Sequence, residues 1–370
     1  MNIEQYIQEL ETLVNVDCGT QTVSGVAKVA GIMTLLWQKE GWHTANVDLG
    51  PQVGPGVLVT NKPQAKRFDV LLVGHLDTVF PEGTVAERPM SRDETRLYGP
   101  GVSDMKSGLL NMLWAIRRLD DADKQRLSIA IAMNPDEETG SVRSHEWIGE
   151  LAKRSQVVLV CEAARADGSL VKARKGMAGY QLTFNGVAAH AGNDPEKGRS
   201  AITALANSVL AINALGDTQQ GTTLNVGVIH GGSAGNVVAD KAIAEIDLRF
   251  WENEEYDRVH HQLETLCARG FLAGVTTTLR QTTHKPAMAG NEDTEALLRL
   301  VEKAGFAEGI LVTWQAVGGG SDANHTAALG IPTLDGFGPI GAGFHSAAEY
   351  LEIGSIEPRI RLLCRVLSML

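Results

Sequence analysis

The sequence predicts an α/β protein with a mostly parallel sheet, interrupted by an inserted ferredoxin-like α+β domain. Three observations carry this. Up to about residue 170, apolar strands alternate with amphipathic helices, the order that builds a parallel sheet. Between about Ala178 and Thr283 the order becomes βαββαβ, the ferredoxin-like pattern. Afterwards α/β character returns, with "TEALLRLVEKAG" and a C-terminal helix. The expected division is a first core part at 1–176, an insertion at 177–284 and a second core part at 285–370.

Each element has a local reason. "MNIEQYIQELETLVNV" is an acidic amphipathic helix, without the basic-then-apolar signature of a secretion signal. Val26 to Trp42 carries helical periodicity. "FDVLLVGHLD" is a strand running into His75 and Asp77. "DMKSGLLNMLWAIRRL" is a helix with Leu109, Leu113, Ile116 and Leu119 among its apolar positions. "LSIAIAM" and "VVLVC" are buried strands. In the middle, "GYQLTF", "TTLNVGVI", "KAIAEIDLRF" and "VTTTLRQ" read as strands. "GRSAITALANSVLAINAL" and "EYDRVHHQLETLCARG" read as helices.

Composition bounds the function. The 370 residues suggest two or three domains, and a net charge of −11 argues against nucleic acid and anionic membrane surfaces as partners. Cys18, Cys161, Cys267 and Cys364 are scattered with no CxxC pair, so they read as reduced thiols of a cytoplasmic protein rather than a zinc knuckle or disulfide framework. No run of about 18 apolar residues is present to span a membrane.

Three apolar strands run into potential metal ligands. "LLVG" meets His75, "AIAM" leads to Glu137 and Glu138, and "VLVC" meets Glu162. Ligands of open α/β sheets bind beyond the carboxyl ends of strands. Asp104 and His345 sit in the Gly-rich loops "GPGVSDMKSG" and "GAGFHSAAEY". Taken singly, Asp104 reads as a helix N-cap, His75 as a core histidine and Glu137–Glu138 as a solvated turn. Glu162 alone is a turn cap and His345 an ordinary loop residue. Together they suit two zinc-like ions about 3.5–4 Å apart that share one carboxylate.

"GHLDTVFPEGT", "GPGVSDMKSGL", "NPDEETGS", "GVAAHAG", "GGGSDAN" and "GFHSAAEYL" resemble the zinc exopeptidase family of glutamate carboxypeptidase, acetylornithine deacetylase, succinyl-diaminopimelate desuccinylase and aminoacylase. The resemblance covers nearly the whole chain, with the motifs in family order, and is nearest to glutamate carboxypeptidase. It implies a zinc-exopeptidase catalytic domain and makes the insertion a dimerisation domain. It implies two zinc ions per chain, which cobalt or manganese can replace. His75, Asp104 and Glu162 would hold one, and Asp104, Glu138 and His345 the other, with Asp104 bridging. Asp77 would orient His75. Glu137 would be the general base. His190 would reach the active site of a partner subunit in a homodimer and stabilise the oxyanion. Arg249 would clamp the substrate carboxylate, with Asn236 nearby. Two departures stand out. Glu162 is followed by "AAR", where the family often has a proline. Lys285 in "HKPAM" stands where an arginine is expected, supplying charge without fork geometry.

The leading expectation is therefore a metallopeptidase or amidohydrolase. It would cleave a small amide or peptide next to a free carboxylate, either releasing C-terminal glutamate or deacylating an N-acyl amino acid. A nucleotide-binding reading of "GVIHGGSAG" or "AVGGGSDAN" fails the spacing of the known phosphate loops. A non-catalytic metal-binding relative is opposed by the presence of Glu137 and every ligand.

Overall fold

The computed structural model describes residues 1–370 and divides into two compact units. The first comprises Met1–Ala173, Gly290–Val317 and Ser321–Leu370; the second comprises Arg174–Ala289 and Gly318–Gly320. The expected limits at 177 and 284 lie just inside the second unit.

The first unit is built on a six-stranded sheet. Its order is His43–Val47, Gly56–Thr60, Ile129–Asn134, Phe68–His75, Ser155–Val160 and Thr333–Leu334. The last four strands are mutually parallel; Gly56–Thr60 runs antiparallel to both of its neighbours, so the edge strand His43–Val47 points the same way as the last four. Ile129–Asn134 is buried throughout, and Phe68–His75 is buried except at Asp69, as expected of central strands covered on both faces. The Ser107–Arg118 helix packs Leu109, Leu110, Met112, Leu113 and Ile116 into this core. Fully burying one such side chain is worth about 1.5–3 kcal/mol. Gly108 is obligatory in that helix: a Cβ there would lie 2.0 Å from the carbonyl oxygen of Cys161. The close approach brings the start of the helix to the end of the Ser155–Val160 strand.

Two helical expectations are corrected. The helix predicted over Val26–Trp42 spans Val23–Lys39, and Gly41 ends it with a φ of +77°. The helix expected from Asp104 becomes regular only at Ser107, since Asp104 has φ −112° and ψ 90°.

The second unit is a four-stranded antiparallel sheet ordered Thr223–Gly231, Lys241–Phe250, Gly176–Asn185 and Thr276–Lys285. With the Ala201–Asn213 and Asn253–Arg269 helices it completes the βαββαβ order. Alternation explains the two faces. Ala178, Tyr180, Leu182 and Phe184 pack with Ala242, Ala244, Ile246 and Leu248 under Ala204, Leu205, Val259 and Leu263 of the helices. The intervening residues, including Met177, Asp247 and Arg249, lie on the opposite face. No helix is long and apolar enough to cross a membrane.

Candidate metal centre

Three adjacent parallel strands deliver the site. His75 ends Phe68–His75, Glu137 and Glu138 open the turn after Ile129–Asn134, and Glu162 follows Ser155–Val160. The register pairs His75 with Asn134, and Val73 with Val160, so the three strand ends lie side by side. Asp104 arrives on the loop before the Ser107–Arg118 helix. It does not cap that helix, so the N-cap alternative fails. His345 comes from a tight turn in which it adopts a φ of +60°, a conformation costing a non-glycine residue about 1–2 kcal/mol. Such outliers persist where the surrounding structure holds them.

These residues form two triads. His75 Nε2 lies 3.2 Å from Asp104 Oδ1 and 3.6 Å from Glu162 Oε1. His345 Nε2 lies 3.1 Å from Asp104 Oδ2 and 3.2 Å from Glu138 Oε2. Asp104 thus serves both triads through opposite oxygens. In each triad one ligand atom per residue falls within 4.8 Å of the others.

The electrostatics show what the centre demands. Burial raises the Glu162 carboxyl well above its ordinary range, and burial with Asp104 nearby lifts Glu138 to about 7. Burial alone would push the Asp104 carboxyl up, but hydrogen bonds from His345 and His75 hold it well below the usual range. Burial opposes a charge on His75, yet Glu162, Asp104 and Asp77 together draw its pKa up. Hydrogen bonds to Asp104 and Glu138 push His345 to about 10. Three crowded carboxylates thus call for positive charge, and two imidazoles stand among them with a nitrogen turned to the cluster. Hard oxygen and imidazole nitrogen donors, three per triad with one shared, fit a pair of zinc-type ions.

Asp77 supports the site from behind. It is fully buried and accepts the Thr20 hydroxyl at 2.6 Å. It also accepts the backbone N–H groups of Glu137 and Glu138, each at 3.2 Å. His75 Nδ1 lies 3.0 Å from the Asp77 backbone carbonyl and 3.4 Å from its carboxylate. A proton on Nδ1 leaves Nε2 free to act as ligand. The sequence reading gave Asp77 one task; here its carboxylate also braces the Glu137–Glu138 turn.

Three supporting residues escaped the sequence reading: Thr20, Asp322 and Glu349. Buried Asp322, from "GGGSDAN", accepts hydrogen bonds from Asn134 and from the Ser141 hydroxyl, tying both ends of the Glu137–Glu138 turn to the Asp322–Ala327 helix. Glu349, fully buried in "HSAAEY", accepts three backbone N–H groups of the Asp104 loop. The "HSAAEY" motif drew attention only through His345. A buried acid four residues after a ligand was the available signal.

The second unit assembles the other expected residues in two places. His190 bridges to Val237, and Ala191 donates its N–H to the Asn236 carbonyl at 2.9 Å, so His190 and Asn236 share one loop pair. His190 Nδ1 accepts the N–H groups of Gly192 and Asn193, each at 3.1 Å, which leaves the ring proton on Nε2 as a donor. Arg249 and Lys285 both pair with Met177, from opposite sides, and so form one rung of the sheet. Arg249 is held by Asp247 at 2.9 Å, and its Nη1 lies 3.8 Å from the Met177 sulfur.

Comparison with known proteins agrees with this geometry. The chain is 30% identical over 369 residues to carboxypeptidase G2 of Pseudomonas sp. (strain RS-16), covering 98% of this chain and 88% of that one. It is 28% identical to succinyl-diaminopimelate desuccinylase of Acidovorax ebreus, covering 84% and 83% of the two chains. An aminopeptidase PepT structure from Bacillus cereus shares the fold, with a TM-score of 0.79 at 24% identity, covering 100% of this chain and 99% of that one. An M20 family metallo-carboxypeptidase, Sso-CP2 from Sulfolobus solfataricus, does so at 0.76 with 17% identity and 99% of each chain covered. Residues 71–369 match the peptidase family M20/M25/M40, a span that takes in every ligand candidate from His75 to His345. On that match, and on a relative this similar along nearly its whole length, the chain belongs to peptidase family M20/M25/M40 and is a metal-dependent hydrolase.

Proposed function

We propose that this protein hydrolyses an amide bond next to a free carboxylate, as a carboxypeptidase releasing C-terminal glutamate or a similar amino acid. The observation that carries the reading is the use of Asp104 by both triads through opposite oxygens. The metals are two zinc ions, with cobalt or manganese able to substitute. His75, Asp104 and Glu162 hold one; Asp104, Glu138 and His345 hold the other. When bound, such a pair polarises the scissile carbonyl and acidifies the attacking water.

The chain's own groups do the rest. Glu137 accepts the proton of the attacking water and returns it to the leaving amine. Asp77 fixes the Glu137 main chain and, with its carbonyl, the His75 ring. His190 donates from Nε2 to the oxygen that gains charge as water adds. The Arg249 guanidinium pairs with the substrate carboxylate, Lys285 adds a second positive charge on the same rung, and Asn236 contributes a further polar contact.

His190 acts across a homodimer in this reading. Support comes from Ile202 and Leu210 on the Ala201–Asn213 helix and Val228 and Ile229 on the Thr223–Gly231 strand, all exposed apolar residues. That strand is also an open sheet edge, a ready template for a second copy.

Deacylation of N-acyl amino acids is the second reading, favoured by the likeness to the desuccinylase and by Lys285 in place of an arginine. The test is a turnover screen of zinc-loaded protein, with folate-type glutamyl conjugates and dipeptides set against N-acetyl amino acids. Preference for glutamyl conjugates supports the first reading, and preference for N-acetyl amino acids replaces it with the second. Activity that survives verified metal removal defeats both.

A further inference from the structure

Glu349 is fully buried, yet it takes its partners from a loop far away in sequence. Its Oε2 accepts the Gly101 N–H at 2.9 Å, and its Oε1 accepts those of Ser103 at 2.9 Å and Asp104 at 3.0 Å. Three main-chain donors converge on one carboxylate, and the last belongs to the residue both triads share. The surrounding strands put Glu349 there. It immediately precedes Tyr350–Glu352, which pairs with Arg96–Tyr98 on one side and Gly341–Ala342 on the other. Arg96–Tyr98 leads into the Asp104 loop, and Gly341–Ala342 leads into the His345 turn. Room is tight on both flanks. A Cβ at Gly101 (φ +73°) would meet Thr78 Cγ2 at 2.6 Å, and one at Gly343 (φ +75°) would meet the Ala348 carbonyl oxygen at 2.4 Å.

We propose that Glu349 is a positioning residue of the metal centre: its carboxylate clamps the main chain carrying Asp104 onto the turn carrying His345, and so sets the spacing of the Asp104–Glu138–His345 triad. The assignment rests on the reading that this triad binds metal. A side chain with two equivalent acceptor oxygens is required. In Glu349→Gln the amide oxygen can keep Ser103 and Asp104, but the amide nitrogen then faces the Gly101 N–H, donor against donor. Glu349→Asp keeps the charge and withdraws the carboxylate by one methylene.

The experiment titrates zinc into metal-free protein against a chromophoric chelator, for wild type, both Glu349 variants and the surface control Glu150→Gln. Wild type and Glu150→Gln are expected to take up two equivalents with the same affinities. Glu349→Gln is expected to bind the second equivalent about 10–100-fold more weakly, with the first less affected, since His75 and Glu162 are untouched, and Glu349→Asp to fall between. At zinc just sufficient for wild type, kcat of Glu349→Gln falls while KM stays. Wild-type affinity for both equivalents in Glu349→Gln would overturn the assignment. Amide exchange in metal-free wild type gives a test that needs no variant to fold. Slow exchange at Gly101, Ser103 and Asp104 supports the clamp, and exchange at loop rates refutes it. Wild type that binds two zinc ions without any turnover would refute amide hydrolysis while leaving Glu349 to be judged on affinity. Wild type that binds fewer than two would bring down the metal reading and the clamp together.

Discussion

Replacing Asp77 by asparagine separates two ways of supporting a metal centre. The Asp77 carboxylate takes four groups: the Thr20 hydroxyl, the N–H groups of Glu137 and Glu138, and, at longer range, His75 Nδ1. Glu137 bonds Oδ1 and Glu138 bonds Oδ2, so either orientation of an asparagine amide turns an NH2 towards one of those two N–H groups. Thr20 can rotate its hydroxyl and accept; a backbone N–H cannot. One buried donor is left unsatisfied, at a cost of about 1–3 kcal/mol, or about 5–150-fold in an equilibrium. His75 is spared, because the Asp77 main-chain carbonyl at 3.0 Å still receives Nδ1. The loss therefore falls on the Glu137–Glu138 turn. Asp77→Asn is expected to weaken the metal held by Glu138 and His345 by that factor, lower kcat/KM by at least as much, and leave the metal of His75 and Glu162 close to wild type. Chelator competition with metal analysis reads the first and third, and steady-state kinetics the second. Selective loss of the His75-side metal, or wild-type kcat/KM, would refute the reasoning.

Glu137→Gln is expected to keep its metal content and lose about 10²–10⁴-fold in kcat, because the near-isosteric amide cannot accept the water proton. Metal loss in this variant, or near-normal turnover, would mean that the roles of Glu137 and Glu138 are exchanged. Arg249→Ala should penalise substrates with a free carboxylate by about 1.5–3 kcal/mol in kcat/KM. Masking that carboxylate as an amide should then cost wild type heavily and the variant little, whereas equal penalties would remove Arg249 from carboxylate recognition. Co-expression of Glu137→Ala with His190→Ala should restore roughly a quarter of wild-type activity, since half of randomly paired dimers are mixed and each mixed dimer has one intact site. Inactive but demonstrably mixed dimers would place His190 in its own chain's site.

The candidate ligands at strand ends were legible because their strands are. A continuous apolar run that ends in His75, Glu137 or Glu162 states both a central strand and a polar end, and the parallel register then lines those ends up. The second unit was readable for a similar reason, since strict alternation such as "KAIAEIDLRF" fixes which face is inward. The supporting groups were not legible. Glu349 grips main-chain N–H groups some 245 positions away, and backbone donors leave no mark on residue identity. Asp322 joins Asn134 and Ser141 across gaps of 188 and 181 positions. The brace at Asp77 depends on which oxygen meets which N–H, a matter of coordinates. Periodicity also carried the Val26–Trp42 helix too far, because Trp42 packs against Trp37 from beyond the Gly41 turn and looks like one more apolar helical position.

The route of the chain through its first unit fixes the order in which the candidate ligands are synthesised. His75, Asp104, Glu138 and Glu162 are all made before the second unit begins at Arg174. That second unit is nearly contiguous in sequence and has its own core. His345 and Glu349 emerge only afterwards. Until they do, the Asp104 loop has neither its second imidazole nor its clamp, and the nascent chain carries a cluster of acids with one histidine among them. All three members of the His75, Asp104 and Glu162 triad are therefore synthesised before the second unit, whereas the neighbouring triad lacks His345 until the C-terminal part of the first unit is made.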